Sequence, residues 1–267
     1  MDSVLSLNNI TKFYGKIRAL NDVSFEVPQG SVFGILGPNG SGKTTLLSII
    51  LDVLKANNGN YLWFGHPGSP SQRKKIGSLL ETPNFYHYLS GINNLKITQS
   101  ISGRGTAEDI DNVLKKVRLF ERRKSRFSSF SLGMKQRLAI AAALLGDPEV
   151  LVLDEPTNGL DPVGIAEIRQ LIIELRNSGH TIVMASHLLD EVEKVCTHEE
   201  ERGLPFGKPL RDAHPAKLFQ RVWNPLFFMA SWCIRSCKRF LLSAQLAYLI
   251  ILCALPRFAR SGNGASD

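Results

Sequence analysis

The chain has 267 residues, 43% of them hydrophobic, enough apolar material for one large domain or two small ones and too much for a disordered polypeptide. Its 32 Lys and Arg against 24 Asp and Glu leave a formal charge of +8, which suits nucleic acid, a membrane surface or an anionic ligand such as a nucleotide without choosing among them. Four cysteines, Cys196, Cys233, Cys237 and Cys253, fall late in the chain without a tight Cys-x-x-Cys pair, so neither a zinc site nor a disulfide framework is expected and all four read as free thiols.

At the N-terminus no basic stretch leads into an apolar run and no small-residue cleavage site follows, so the expected compartment is the cytoplasm. From Val4 to Val27 the apolar positions alternate, as at Val23, Phe25 and Val27, with breaks at Gly15 and at Pro28-Gln29-Gly30, which predicts short antiparallel strands. The run from Ser31 to Leu36 predicts another strand, and the stretch from Lys43 onward predicts a helix.

Between them lies Gly37-Pro38-Asn39-Gly40-Ser41-Gly42-Lys43-Thr44, which fits G-x-x-x-x-G-K-[ST] in the required context of strand, loop and helix. Glycines there let successive backbone N–H groups turn inward onto a phosphate, and the helix N-terminus adds its positive dipole. Lys43 can neutralise β- and γ-phosphate charge, and the Thr44 hydroxyl is a hard oxygen suited to Mg²⁺. An accidental match to a glycine-rich turn is the competing reading, and the strand and helix on either side weigh against it.

Residues 57–90 predict turns and short strands, and 91–147 predicts a largely helical inserted block interrupted at Gly103-Arg104-Gly105. The apolar runs Val150 to Leu153 and Thr181 to Ala185 read as strands covered on both faces of a parallel sheet, with a helix over 162–177 completing a βαβ unit. Asp154 and Glu155 leave the first of these strands at its carboxyl end, where open α/β sheets bind ligands. Alternation along a strand points the two acids differently, so that Asp154 can reach a Mg²⁺ shell while Glu155 polarises an attacking water. Solvated loop acids, or a cap for helix 162–177, are the alternative.

With these motifs in this order, the chain resembles the nucleotide-binding domains of ABC transporters over about residues 4–198. Phe130-Ser131-Leu132-Gly133-Met134-Lys135-Gln136 stands where that family has its signature, with Leu132 and Met134 replacing the usual glycine and glutamine, in a form similar to the drug-resistance type of exporter. The resemblance implies an α/β fold: a P-loop NTPase core with a mostly parallel sheet, an N-terminal antiparallel β subdomain and an inserted α-helical subdomain. It implies ATP and Mg²⁺, with Gly37 to Thr44 and the next residue, Thr45, binding nucleotide, and Ser131 and Gly133 reaching the γ-phosphate held by a partner protomer. Independently, Ser131 reads as a good N-cap for a helix running to Leu145; a plain cap is the competing reading.

By the same resemblance, Gly159-Leu160-Asp161 is the loop whose aspartate helps join protomers, and His187 bridges γ-phosphate and the catalytic Glu155, with a surface or capping histidine as the alternative. Tyr14 matches the aromatic on which adenine stacks, against a core tyrosine. Glu81 stands where the family has a glutamine touching Mg²⁺ and the lytic water; its carboxylate can still ligate Mg²⁺, beside Thr44 and Asp154, but adds negative charge near the γ-phosphate. The implied partners are a membrane-spanning permease subunit, docking on the loop from Glu81 to Gly91, and a second nucleotide-binding chain in a head-to-tail homo- or heterodimer. The implied place is peripheral, on the inner face of the cell membrane.

After His198 the character changes. Residues 199–267 lack the apolar strand that family members carry next and begin instead with Glu-Glu-Glu-Arg and a Pro/Gly-rich stretch. The segments 222–234 and 240–255 are apolar but are split by Arg235, Lys238 and Arg239, each short of the roughly 20 residues of a spanning helix. The expectation is an atypical tail, either translated out of frame from near His198 or a divergent extension that touches membrane or partner. Two further functions stay open at this point. One is a soluble ABC ATPase acting on nucleic acid or ribosomes, against which stands the lack of tandem cassettes or a coiled-coil insertion, so nucleic acid is not the expected partner. The other is an inactive truncated remnant of a transporter subunit.

Overall fold

The computed structural model describes residues 3–80 and 85–196. Glu81 and the whole of the 199–267 tail, with Cys233, Cys237 and Cys253, lie outside the described residues.

Strands β1 (Ser3–Tyr14) and β2 (Ile17–Pro28) form an antiparallel hairpin turning at Gly15. At 12 residues each they are longer than the short strands expected. Pairing survives the polar interruptions because the register shifts at bulges, where Asn9 and Asp22 take positive φ values of 55° and 53°. Next come β3 (Val32–Leu36), α1 (Lys43–Ile50), β4 (Asn58–Trp63), the short β5 (His66–Pro67), α2 (Pro70–Lys74) and β6 (Ile76–Leu79). Trp63 is buried and donates from Nε1 to the Ile50 carbonyl at 2.7 Å, tying the end of β4 to the last turn of α1.

The block expected to be helical resolves into α3 (Gly91–Ser102), α4 (Ala107–Lys116) and α5 (Leu132–Leu144), with single 3₁₀ turns at Phe120–Arg122 and Phe127–Ser129 between the last two. Gly103, at φ 61°, stops α3 in the left-handed conformation, and Thr106 with Asp109 starts α4 through a reciprocal capping box. The remaining elements are β7 (Val150–Asp154), α6 (Pro162–Asn177), β8 (Thr181–Ser186) and α7 (Leu189–Cys196).

Two sheets result, one antiparallel in the order β2-β1-β4-β5 and one parallel in the order β3-β8-β7-β6. In the parallel sheet Leu36 pairs with Ser186 and Asp154 with Ala185, so the carboxyl ends of β3, β8 and β7 are level. That common edge holds the site.

The uninterrupted apolar strands have a simple cause. Leu151, Leu153, Ile182 and Met184 face one core, shared with α3 to α7, while Val150, Val152, Val183 and Ala185 face the other, shared with α1 and the antiparallel sheet. Each of these valine, leucine, isoleucine and methionine side chains contributes roughly 1.5–3 kcal/mol by leaving water. The helical block grips the sheet at β6. A Cβ on Gly77 would lie 2.1 Å from the Ala143 carbonyl oxygen, so only glycine admits the end of α5 there. Arg104 clasps the same place, its guanidinium donating to the carbonyls of Ile76 and Ala143, and burial pulls its pKa below the ordinary arginine value.

Candidate functional site

The loop between β3 and α1 is folded by its own backbone. Gly37 N donates to Ser186 O at 3.2 Å, anchoring the loop to β8, and Ser41 N donates to Pro38 O at 3.2 Å. Gly40 and Gly42 take φ values of 81° and 93°, and a Cβ at Gly42 would lie 2.6 Å from the Ala19 carbonyl oxygen. Helix α1 therefore begins at a glycine cap with no side chain bonded to its first N–H groups and no acid in its first turn, an open anion-binding end. Ser41 Oγ is buried without a hydrogen-bond partner, an orphan that a phosphate oxygen would satisfy.

Lys43 is only 5% exposed and lies back across the loop, donating to Gly37 O at 2.7 Å and Pro38 O at 3.2 Å. Its Nζ also lies 3.1 Å from Glu155 Oε1. Thr44 Oγ1, one residue on, donates to Asp154 Oδ2 at 2.6 Å. The loop and the acidic pair, 110 residues apart in sequence, thus meet twice. Thr45 is half-buried on α1 beyond them.

The two acids diverge through a backbone turn as well as through alternation. Asp154 ends β7 in ladder register, whereas Glu155 takes a left-handed φ of 47°, held by Glu155 N donating to Ala185 O at 2.9 Å. A non-glycine residue there costs about 1–3 kcal/mol, strain of the kind that functional sites store. The turn brings Glu155 Oε2 to 2.8 Å from His187 Nδ1, and His187 N approaches the same oxygen at 3.4 Å. Lys43, Thr44, Asp154, Glu155 and His187 therefore form one cluster at the sheet edge.

The other candidate residues lie apart from it. Ser131 caps α5, its Oγ accepting from Met134 N at 3.3 Å, and a Cβ on Gly133 would meet nothing, so this helix end is also open to an anion. Asp161 is the N-cap of α6, with Oδ1 accepting from Gly164 N at 3.0 Å. Tyr14 sits at the β1–β2 turn, 46% exposed, with Lys12 Nζ 5.5 Å from its ring centre, which places it outside either core. One positioning pair has no signature in the sequence: Arg169 on α6 makes a forked contact with Glu191 on α7, at 2.9 Å to both carboxylate oxygens. That bond braces the helix that follows His187.

This arrangement fits a nucleoside triphosphate with its metal. An uncapped helix end and a buried lysine are groups that can receive phosphate, and a hydroxyl and a carboxylate held together are hard oxygens of the kind a divalent cation takes.

Comparison with known proteins agrees with the nucleotide-binding part of that chemistry. The family model described as ABC transporter matches residues 20–158. The chain is 41% identical over 200 residues to the bacitracin transport ATP-binding protein BcrA of Enterococcus faecalis, covering 73% of this chain and 65% of that protein's length. It is 41% identical over 193 residues to the lantibiotic transport ATP-binding protein SrtF of Streptococcus pyogenes, covering 72% of this chain and 84% of that one. Among solved structures, the dimeric ATP-binding cassette MJ0796, in a post-hydrolysis state bound to ADP and Pi, matches with a TM-score of 0.62 and 28% identity over 71% of this chain and 90% of that one.

Proposed function

The chain belongs to the ABC transporter ATP-binding family, and on that premise we propose that it hydrolyses ATP with Mg²⁺ to power export through a separate membrane-spanning permease. The observation that carries this reading is the convergence of Lys43, Thr44, Asp154, Glu155 and His187 at one sheet edge.

The P-loop amides and Lys43 bind the β- and γ-phosphates, and Tyr14, exposed on its hairpin, stacks on adenine. A γ-phosphate oxygen that reaches Lys43 replaces its contact with Glu155 Oε1. That oxygen is then free to accept from a water in line with the bond to be broken, while His187 keeps hold of Oε2 and so fixes the carboxylate's direction. Thr44 and Asp154 would hold Mg²⁺, which when bound offsets the charge on the phosphate oxygens. Ser131 and Gly133, at the open end of α5, serve the nucleotide of a partner chain in a head-to-tail dimer, as the match to a dimeric cassette supports.

The unit that does this lies within residues 1–198. Among the described residues no helix is long and apolar enough to cross a membrane, in keeping with a subunit peripheral to the inner face. A cleft of about 330 Å³, lined among others by Leu80, Phe85, Tyr86, Ile97, Ile101 and Arg104, supports docking of the permease at the described part of the Glu81 to Gly91 loop, Phe85 to Gly91. The test is ATP hydrolysis by the purified full chain with and without Mg²⁺. Metal-dependent turnover that Glu155→Gln abolishes supports the reading; folded, ATP-binding protein without turnover, even with its permease, overturns it.

A further inference from the structure

Beside that cleft two loops are stitched together backbone to backbone. Gly91 N donates to Ser125 O at 3.2 Å, Ile92 N to Arg123 O at 2.9 Å, Phe127 N to Leu89 O at 2.8 Å and Ser128 N to His87 O at 3.0 Å. Ser90 and Arg126 add an isolated β-bridge. Beneath them Phe127 is buried, with the rings of Phe85 and His87 set edge-to-face at 5.2 Å and 5.5 Å. The side chains on this pair of loops are therefore presented from a fixed base.

Tyr86 and Tyr88 stand outward, 48% and 70% exposed, with their rings edge-to-face at 5.8 Å. On the other loop Arg122, Lys124 and Arg126 are exposed, and among the described residues none of them makes an ion pair. Their basic neighbours are already engaged. Lys116 lies 3.0 Å from Asp147, Arg118 lies 2.7 Å from Glu174, and the Arg123 guanidinium lies 3.7 Å above the Phe120 ring. Glu121 is the one acid between positions 115 and 128. Three unanswered cations and the exposed Tyr88 thus stand on one stitched pair of loops.

We propose that the basic loop of this pair, with Arg122, Lys124 and Arg126, rests on the anionic lipid headgroups of the membrane that holds the permease. The inference depends on the transporter reading, because Tyr86 lines the cleft assigned to the permease, so the basic loop stitched to it adjoins the subunit that sits in the bilayer. Arginine and lysine without protein partners suit mobile phosphates, which can gather around each charge, and tyrosine suits the boundary between headgroups and acyl chains. A preformed platform loses little freedom on contact.

The test uses the purified full chain sedimented with vesicles of phosphatidylcholine alone or mixed with phosphatidylglycerol, with ATP turnover measured on the same samples. The parent is expected to be retained by the phosphatidylglycerol mixture and released by salt, since the attraction acts within a Debye length. Replacing the three cations (Arg122→Gln, Lys124→Gln, Arg126→Gln) is expected to weaken partition on the order of 100-fold and to leave turnover at the parent's level. The same loss of charge elsewhere, Lys55→Gln with Lys74→Gln and Lys194→Gln, is expected to leave retention unchanged. No retention that depends on phosphatidylglycerol, or equal weakening by both triple variants, overturns the proposal. So does a loop variant that keeps its lipid retention but loses co-purification with the permease, which would assign the basic loop to an acidic protein segment. Retention that depends on the loop in a chain without turnover sinks the ATPase reading alone.

Discussion

Lys43 Nζ lies 3.1 Å from Glu155 Oε1, an ion pair closed between the phosphate loop and the end of β7 with the two side chains 5% and 19% exposed. The same carboxylate is held from its other oxygen by His187. The lysine that should meet phosphate and the carboxylate that should meet water are therefore each other's partners, and a phosphate must compete for the lysine.

Glu155→Gln tests both halves of that relationship. Loss of a general base is expected to lower turnover by about 100- to 10,000-fold, while ATP binds as well as or better than in the parent because Lys43 loses its ionic competitor. Nucleotide affinity and single-turnover hydrolysis measured side by side read the two effects. Turnover within about 10-fold of the parent would place the base elsewhere.

The bond from Thr44 Oγ1 to Asp154 Oδ2, 2.6 Å long, links the two groups proposed to hold the metal. Asp154→Asn is expected to raise the Mg²⁺ concentration needed for half-maximal hydrolysis by about 10- to 100-fold. A Mg²⁺ titration at saturating ATP gives the answer, and identical curves for parent and variant would remove Asp154 from the metal site.

Arg169 and Glu191 join α6 to α7 with the pair 24% and 10% exposed. Removing one partner strands the other in a poorly hydrated place, so Arg169→Ala or Glu191→Ala is expected to cost about 2–4 kcal/mol in urea unfolding. An apolar pair, Arg169→Met with Glu191→Leu, should recover most of that loss. Single variants as stable as the parent would show that the fork does not brace the helix behind His187.

Tyr61 is expected to contribute to the loss of stability at alkaline pH. Burial first, and then the charge of Asp52, whose carboxylate accepts from the phenol at 3.3 Å, push its pKa up to about 12. The unfolded chain releases this proton near the ordinary value of about 10 while the folded protein still holds it, so the contribution is fully present below that pH and is lost as pH rises through the folded value. Thermal stability of the parent should fall between roughly pH 10 and 12 more steeply than that of Tyr61→Phe. Parallel profiles would mean that Tyr61 titrates as a free phenol.

Several features of this chain were legible because their physics is local. The phosphate loop is consecutive, and its glycines announce the positive φ values that Gly40 and Gly42 adopt. The apolar runs ending at Leu153 and Ala185 announce strands covered on both faces, and Pro162 with Asp161 before it announces the start of α6. Ser131 reads as a cap and is one. By contrast, the length of β1 and β2 was hidden by polar residues that bulges absorb, and the 3₁₀ turns before α5 were hidden inside what reads as one helical block. Tyr14 could be exposed or buried as far as its neighbours tell, and only the placement of the hairpin leaves it 46% exposed.

The sequence by itself determined which chemical groups are available and the local backbone each sits on: a loop that cradles phosphate, two acids leaving a strand, a histidine leaving another. The tertiary structure decided that they meet. Glu155 reaches Lys43 and His187 because β8 is inserted between β3 and β7, which levels three strand ends that are far apart in the chain. Gly77 is needed only because α5 ends against β6. Such pairings rest on burial summed over two whole cores, a sum over contacts that no short stretch of residues contains.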